Sequence, residues 1–239
     1  QLIMKRIAIL TCVIVLSMTS IYAENYLGVQ LGYARSITRL NAPSTMAKET
    51  LHPTGYNGLK VGVIYDATII KGFGVTMGLN YTFGANATDW VKKIHTQPTD
   101  YPQVRSRGQY HQLEIPVDWQ YKFEIAQNTW LMLYTGPTLQ CGLEFKDKWY
   151  VRVDKESQSI LVEENIYSAD DMQDHALKRL NVTWGIGAGF QYQRYFLRGG
   201  YDFGLINPYK SQSFMGIDVN TRGRFDQWQI KLGMYLWEF

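Results

Sequence analysis

The chain has 239 residues, with 24 Lys and Arg against 21 Asp and Glu, and it is rich in Tyr (17), Trp (7) and Gly (21). Charges this evenly balanced give no ground for proposing a chain-wide polybasic surface for nucleic acid or for an anionic membrane. The bias toward aromatic residues and glycine suits strands and turns better than helices.

From Met4, the run MKRIAILTCVIVLSMTSIYA has Lys5 and Arg6, an apolar stretch from Ile7 to Leu16, and small residues ending at Ala23. That is the order of a secretory signal peptide, with Gln1 to Ile3 reading as upstream sequence. A membrane anchor would need about 20 apolar residues, and this stretch is shorter. Removing residues 1–23 takes Lys5 and Arg6 and no acid, which leaves 22 basic residues against 21 acidic. Cys141 then stands alone, so no internal disulfide is expected. Residues 24–239 read as a single domain, and nothing in them resembles an apolar helix long enough to cross a membrane.

Eight segments alternate apolar and polar residues, the period of a strand with one greasy face. In chain order the apolar sets begin with Leu27, Val29, Leu31 and Tyr33, then Leu59, Val61, Val63 and Tyr65, then Phe73 to Phe83 on odd numbers. The fourth, LEIPVDWQYKF, alternates without error from Leu113 to Phe123. The fifth carries Leu131, Leu133, Leu139, Cys141, Leu143 and Phe145, and the sixth runs on even numbers from Leu180 to Tyr192. The seventh has Tyr195, Leu197, Tyr201, Phe203 and Leu205. The last is mixed: Trp228, Ile230, Leu232, Met234 and Leu236 share one face, while Tyr235, Trp237 and Phe239 share the other. A bulge or register change is expected near its end. Pro116 and Pro137 lie inside strands four and five and should mark further bulges, because proline removes a ladder donor.

The gaps alternate in length. Short ones fall near 66–72, 124–129 and 193–194, and long ones near 36–55, 84–108, 146–179 and 206–224. An up-and-down meander therefore gathers three tight turns at one rim and four long loops at the other, the habit of outer-membrane barrels. The face opposite the apolar sets is crowded with glycine, including Gly58, Gly62, Gly185, Gly187 and Gly189. Glycine weakens an exposed strand but fits the narrow interior of a small barrel. The larger members of that face are Lys60, Glu114, Asp118, Lys122, Glu144, Arg198, Asp202 and Lys231, four charges of each sign, as a closed interior requires. Tyr65, Phe73, Tyr121, Phe123, Tyr192 and Tyr195 fall on the apolar parity beside the short turns, where one interfacial girdle belongs. The expected fold is all-β: an eight-stranded antiparallel up-and-down transmembrane β-barrel with short periplasmic turns and long extracellular loops.

LEIPVDWQYKF, TGPTLQCGLEF and WGIGAGFQYQRYFLRGGYDFGLINPY resemble the PorT-like outer-membrane β-barrel family of porin-like proteins. The likeness covers 24–239 in layout and is most specific from Leu113 to Asn207. It implies an eight-stranded barrel in the outer membrane of a Gram-negative envelope, surrounded by outer-membrane lipid. The terminal Phe239 after MYLWE resembles the signal read by the outer-membrane assembly machinery, which implies that machinery as a partner during biogenesis. A lasting envelope protein partner in a secretion- or assembly-linked complex is a further expectation, a narrow channel for small solutes the alternative to it, and no nucleic-acid partner is expected.

No catalytic, cofactor or metal site is expected. Of the histidines, His52, His95 and His175 lie in loops, and His111 starts strand four on the lipid-facing parity with no serine or acid two residues away on its face. No Gly-rich phosphate loop, CxxC pair or HxxxH spacing occurs. The third long loop, 146–179, holds two strand-like runs, Trp149 to Val153 and Ile160 to Glu164, expected as a hairpin beyond the membrane. The SADDMQDHALKR that follows should form a short helix. The loop's excess of acids could draw it across its basic neighbours to close the outer mouth, and a mobile, solvated loop is the equal alternative.

Overall fold

In a computed structural model the chain is described over residues 24–41, 55–70, 72–87, 91–92, 103–152, 158–165, 177–209, 212–214, 217–219 and 222–239. The expected signal peptide and the expected helix at 168–179 fall outside these residues, except for the last three of the helix. Eight long strands build the wall: β1 (Glu24–Asn41), β2 (Gly55–Ile70), β3 (Phe73–Ala87), β4 (Gln103–Ala126), β5 (Thr129–Arg152), β6 (Leu180–Tyr192), β7 (Tyr195–Gly204) and β8 (Arg222–Glu238). Each pairs antiparallel with its neighbours in sequence, and β8 pairs with β1, so the sheet closes on itself. Closure leaves no open edge, the condition for strands to cross hydrocarbon.

Three two-residue turns close the hairpins β2–β3, β4–β5 and β6–β7. Each places one residue at positive φ: Gly72 (85°), Asn128 (57°) and Gln193 (52°). Adjacent turns are tied together. Gln193 N–H donates to Asn128 O (2.8 Å), Tyr235 N–H to Arg194 O (2.8 Å), Lys122 N–H to Gly72 O (2.8 Å) and Phe239 N–H to Asn25 O (2.9 Å). This rim is a ring of backbone hydrogen bonds with little loop to spare.

The other rim rises higher than the alternation suggested. β3 runs to Ala87, β4 begins at Gln103, and β5 continues to Arg152. Backbone pairing needs no lipid, so polar ribbons extend past the point where the apolar alternation stops. Gln158–Asn165 adds a strand to β5, with Trp149 opposite Val162 and Tyr150 opposite Ile160. The hairpin expected in the third loop is therefore present.

Two irregularities matter for the interior. On β8 the register with β1 passes from Gly28↔Tyr235 to Leu27↔Trp237, which leaves Leu236 as the extra residue of a bulge. Tyr235 therefore points inward while Trp237 and Phe239 point out, the resolution of the mixed last strand. On β5 the pairing passes from Gln112↔Gly142 to His111↔Glu144, so Leu143 is extra and the parity above it reverses. The prolines behave otherwise than expected. The register is unchanged across Pro116, from Met77↔Val117 to Asn80↔Glu114, and across Pro137, from Thr138↔Pro116 to Thr135↔Trp119. Gly78 stands opposite Pro116, where a Cβ would meet the proline Cγ at 3.3 Å, so space rather than a bulge accommodates the ring.

Candidate functional site

Alternation on the eight strands sends apolar side chains outward and the polar set inward. Leu31, Leu59, Leu79, Ile115, Leu133, Ile186 and Leu232 lie exposed on the outside, while Lys60, Glu114 and Arg198 are each only 1% exposed inside. Buried charges persist when paired and hydrogen-bonded, and these are. Lys60 bridges to Glu114 and donates to Gln227 Oε1 (3.0 Å) and Gln229 Oε1 (2.6 Å). Glu114 also accepts from Thr82 Oγ1 (2.9 Å) and Gln112 Nε2 (3.2 Å). Arg198 binds Asp118 (3.2 Å), donates to Thr76 Oγ1 (3.2 Å) and covers the Tyr134 ring with its guanidinium carbon 4.0 Å from the centroid. Gln229 Nε2 donates to Asp202 Oδ2 (2.8 Å), and Lys231 is buried within electrostatic reach of Asp118 and Asp202.

Seven of the eight charges expected in the interior are therefore buried there, and Glu144 is not. The Leu143 bulge turns Glu144 to the outer side, 37% exposed, where Lys146 Nζ binds it at 2.8 Å and holds its carboxyl below the ordinary range. Its place in the balance is taken by Asp66, fully buried, which pairs with Lys122 (2.9 Å) and accepts from Gln120 and Tyr235. Asp66 has the inward parity of Ile64, but it sits so near the short turn that it reads as loop.

Two apolar stoppers bracket this network. Beside the short turns, Ile64, Met132, Phe196 and Tyr235 pack together with Tyr26. At the outer end, Tyr110 and Phe145 pack with Leu177 and Tyr209, flanked by Tyr56 and Phe225. The bulge that expels Glu144 is what brings Phe145 inward. Leu177 and Tyr209 belong to the ends of two different loops, joined by a β-bridge and by Lys178 N–H donating to Pro208 O (2.7 Å). Burial pushes the Tyr209 hydroxyl up to about 12. The alternation could not show this cluster, because half of it comes from outside the strands.

Between the outer stopper and the network lies a cavity of about 40 Å³, lined by the aromatic rings of the stopper and by Gln112, Gln140, Asn181 and Gln227. The exposed Lys178 and Arg179 also line it. Tyr110 OH and Ser36 Oγ are hydrogen-bonded (2.9 Å), Gln227 Nε2 donates to Ser36 Oγ (3.1 Å), and Asn181 Nδ2 donates to Gln140 Oε1 (2.8 Å). The buried Asn181 Oδ1 accepts no hydrogen bond among the described residues. At about 10–15 Å³ for each water, the space holds about three waters or one small polar group. Beside it the fully buried Asp226 joins Arg39 (2.7 Å) and Arg224 (3.3 Å), and accepts from Tyr201 OH (3.0 Å) and Gly204 N–H (3.1 Å).

His111 is a rim residue, its Nδ1 hydrogen-bonded to Tyr81 OH and its ring 5.0 Å from Phe83. Phe239 lies exposed at the opposite rim. Among the described residues no group of three or more His, Cys, Asp or Glu could hold a metal.

The chain is similar to solved outer-membrane barrels. Against Ail, the attachment invasion locus protein of Yersinia pestis, identity is 12% over 89% of this chain and 99% of that one, with a TM-score of 0.41. Against Neisserial surface protein A the values are 12%, 88%, 97% and 0.38. Against the N-terminal β-barrel domain of Pseudomonas aeruginosa OprF they are 10%, 86%, 97% and 0.29. No curated protein matches the sequence. The model of the family described as outer membrane protein beta-barrel domain matches residues 21–209. With its ring of eight antiparallel strands, greasy outside and charged inside, the chain belongs to that family and is an integral protein of the Gram-negative outer membrane.

Proposed function

We propose that the protein is a plugged barrel of the PorT-like kind, serving as a structural or binding component of the cell envelope rather than as a channel or an enzyme. The observation that carries this reading is the interior: four cations, Lys60, Lys122, Arg198 and Lys231, and four acids, Asp66, Glu114, Asp118 and Asp202, are buried between two apolar stoppers, with a fifth buried acid, Asp226, paired to the exposed Arg39 and Arg224. An eight-stranded interior is just wide enough for side chains to fill it. A partner in a secretion- or assembly-linked complex would meet the outer ribbons or the mouth, where Lys178 and Arg179 flank the cavity. Catalysis would need a matched nucleophile and base, and neither the mouth nor His111 supplies one.

The rival reading, a narrow porin-like path, is favoured by one observation. Tyr134 OH, Thr183 Oγ1 and Gln191 Oε1 are buried without hydrogen-bond partners among the described residues, and such atoms are commonly served by internal water. Planar-bilayer recording separates the two. Purified protein should give no stable conductance steps, and the double variant Tyr134→Ala, Arg198→Ala should give small ones. Reproducible steps from the unmodified protein would establish the channel instead. Phe239 as the signal for the assembly machinery is tested by its deletion, which should lower the amount in the outer membrane; an unchanged amount would assign the signal elsewhere.

A further inference from the structure

On β4 and β5 the outward column changes character at a definite height. An apolar band about 25 Å tall, crossed by strands tilted about 40°, takes about ten residues at 3.3 Å each. Measured from Phe123, that span ends near Leu113 on β4, and His111 with Phe83 follows as an interfacial ring. The next outward pair is Gln109 opposite Lys146, and the next Arg107 opposite Lys148. They stand about 5 and 10 Å above His111 by the same rise and tilt, at the level of lipid headgroups.

These four side chains and Tyr150 line one pocket of about 140 Å³ on the outward side of the wall. All five can donate hydrogen bonds, and three are cations. Glu144 binds Lys146 at 2.8 Å, and Glu163 stands opposite Lys148 in the register of the added strand. Among the described residues that line the pocket none is a carboxylate. Such a set matches an acceptor of several hydrogen bonds carrying negative charge. An Arg fork with two ammonium groups suits a phosphate better than a single carboxylate.

We propose that this pocket binds the phosphate group of a glycolipid in the outer leaflet. Its lining residues continue the lipid-facing column of β4 and β5, so a lipid can reach it by lateral diffusion, whereas a dissolved anion must come down between headgroups. Long basic side chains there keep their stems along the apolar edge and their charges among the phosphates. The inference depends on the outward face of the barrel and not on the cavity in the mouth.

The test uses the whole protein refolded into maltoside micelles, which carry no phosphate, titrated with diphosphorylated lipid A, with the temperature of the heat-modifiable gel shift as the readout. Lipid A should raise that temperature at concentrations where its dephosphorylated form and inorganic phosphate do not. Arg107→Gln with Lys148→Gln should weaken the apparent affinity by roughly fivefold for each cation removed. Arg107→Gln alone, an exposed position, gives the same reading if the pair fails to fold. Arg194→Gln, which removes one charge from the opposite rim, should change nothing. Equal affinity in the Arg107 variant, or an equal effect of dephosphorylated lipid, would overturn the proposal. An equal effect of inorganic phosphate would overturn the lipid as the source of the anion.

Discussion

The inner and outer faces of the wall are made by the same strands, one residue apart, and they obey opposite rules. On the inside, Lys60 is 1% exposed and holds Glu114, Gln227 and Gln229; on the outside, its strand neighbours Leu59 and Val61 have nothing polar to do and are open to lipid. An inward charge stands or falls with its partner, because water cannot reach it. An outward apolar residue needs no particular neighbour, because hydrocarbon accepts it anywhere along the wall. Inside, then, identity is pairwise; outside, it is a matter of class.

That contrast can be broken in three places. The largest effect should come from Glu114→Leu, which strands the Lys60 ammonium; losing one member of a buried pair costs about 3–5 kcal/mol. Adding Lys60→Met should recover most of the loss in urea unfolding from micelles, and a double variant as unstable as the single would refute pairwise identity. Next comes Leu79→Arg on the outside, about 2–4 kcal/mol near mid-membrane. Unaltered heat-modifiable migration of that variant would mean that the faces are inverted. Smallest is Glu144→Gln. Since the bulge leaves this carboxylate exposed at the outer rim with Lys146, unfolding should be unchanged. A clear loss of stability would return Glu144 to the interior.

The sequence showed the faces, the turns and seven interior charges because period-two alternation is a local property that survives closure of the sheet. What it hid is equally physical. A single extra residue, Leu143, reverses parity with no mark in LEF, and so sends Glu144 out and Phe145 in. Asp66 is silent because an acid beside a tight turn looks like the turn itself. Pro116 suggested a bulge by its lost donor, yet the donor could be spared once Gly78 made room for the ring. The outer stopper joins Tyr110 and Phe145 to Leu177 and Tyr209, contacts between segments far apart in the chain. Only a signal in which distant positions vary together would have exposed them.

The glycines of the inner wall carry that idea further. A Cβ on Gly187 would strike the Tyr134 ring, one on Gly189 would meet Met132 Cε at 2.8 Å, one on Gly233 would strike the Phe196 ring, and one on Gly84 the ring of Tyr110. Each large inward side chain thus lies flat over a neighbour's bare backbone, and the volume one strand gives up the next one spends. For the lineage of this protein, Gly187, Gly189 and Gly233 are held twice over, because a Cβ there would also come within 2.5 Å of Gly199 O, 2.8 Å of Leu197 O and 2.6 Å of Val29 O. At Gly84 the nearest atoms all belong to the Tyr110 ring, so a larger residue at 84 becomes acceptable once Tyr110 has shrunk, and the shrunken intermediate must survive a void until then. Descent inside the barrel should therefore keep those three glycines and exchange Gly84 with its register partner Tyr110 as a couple, while the lipid-facing positions beside them drift freely.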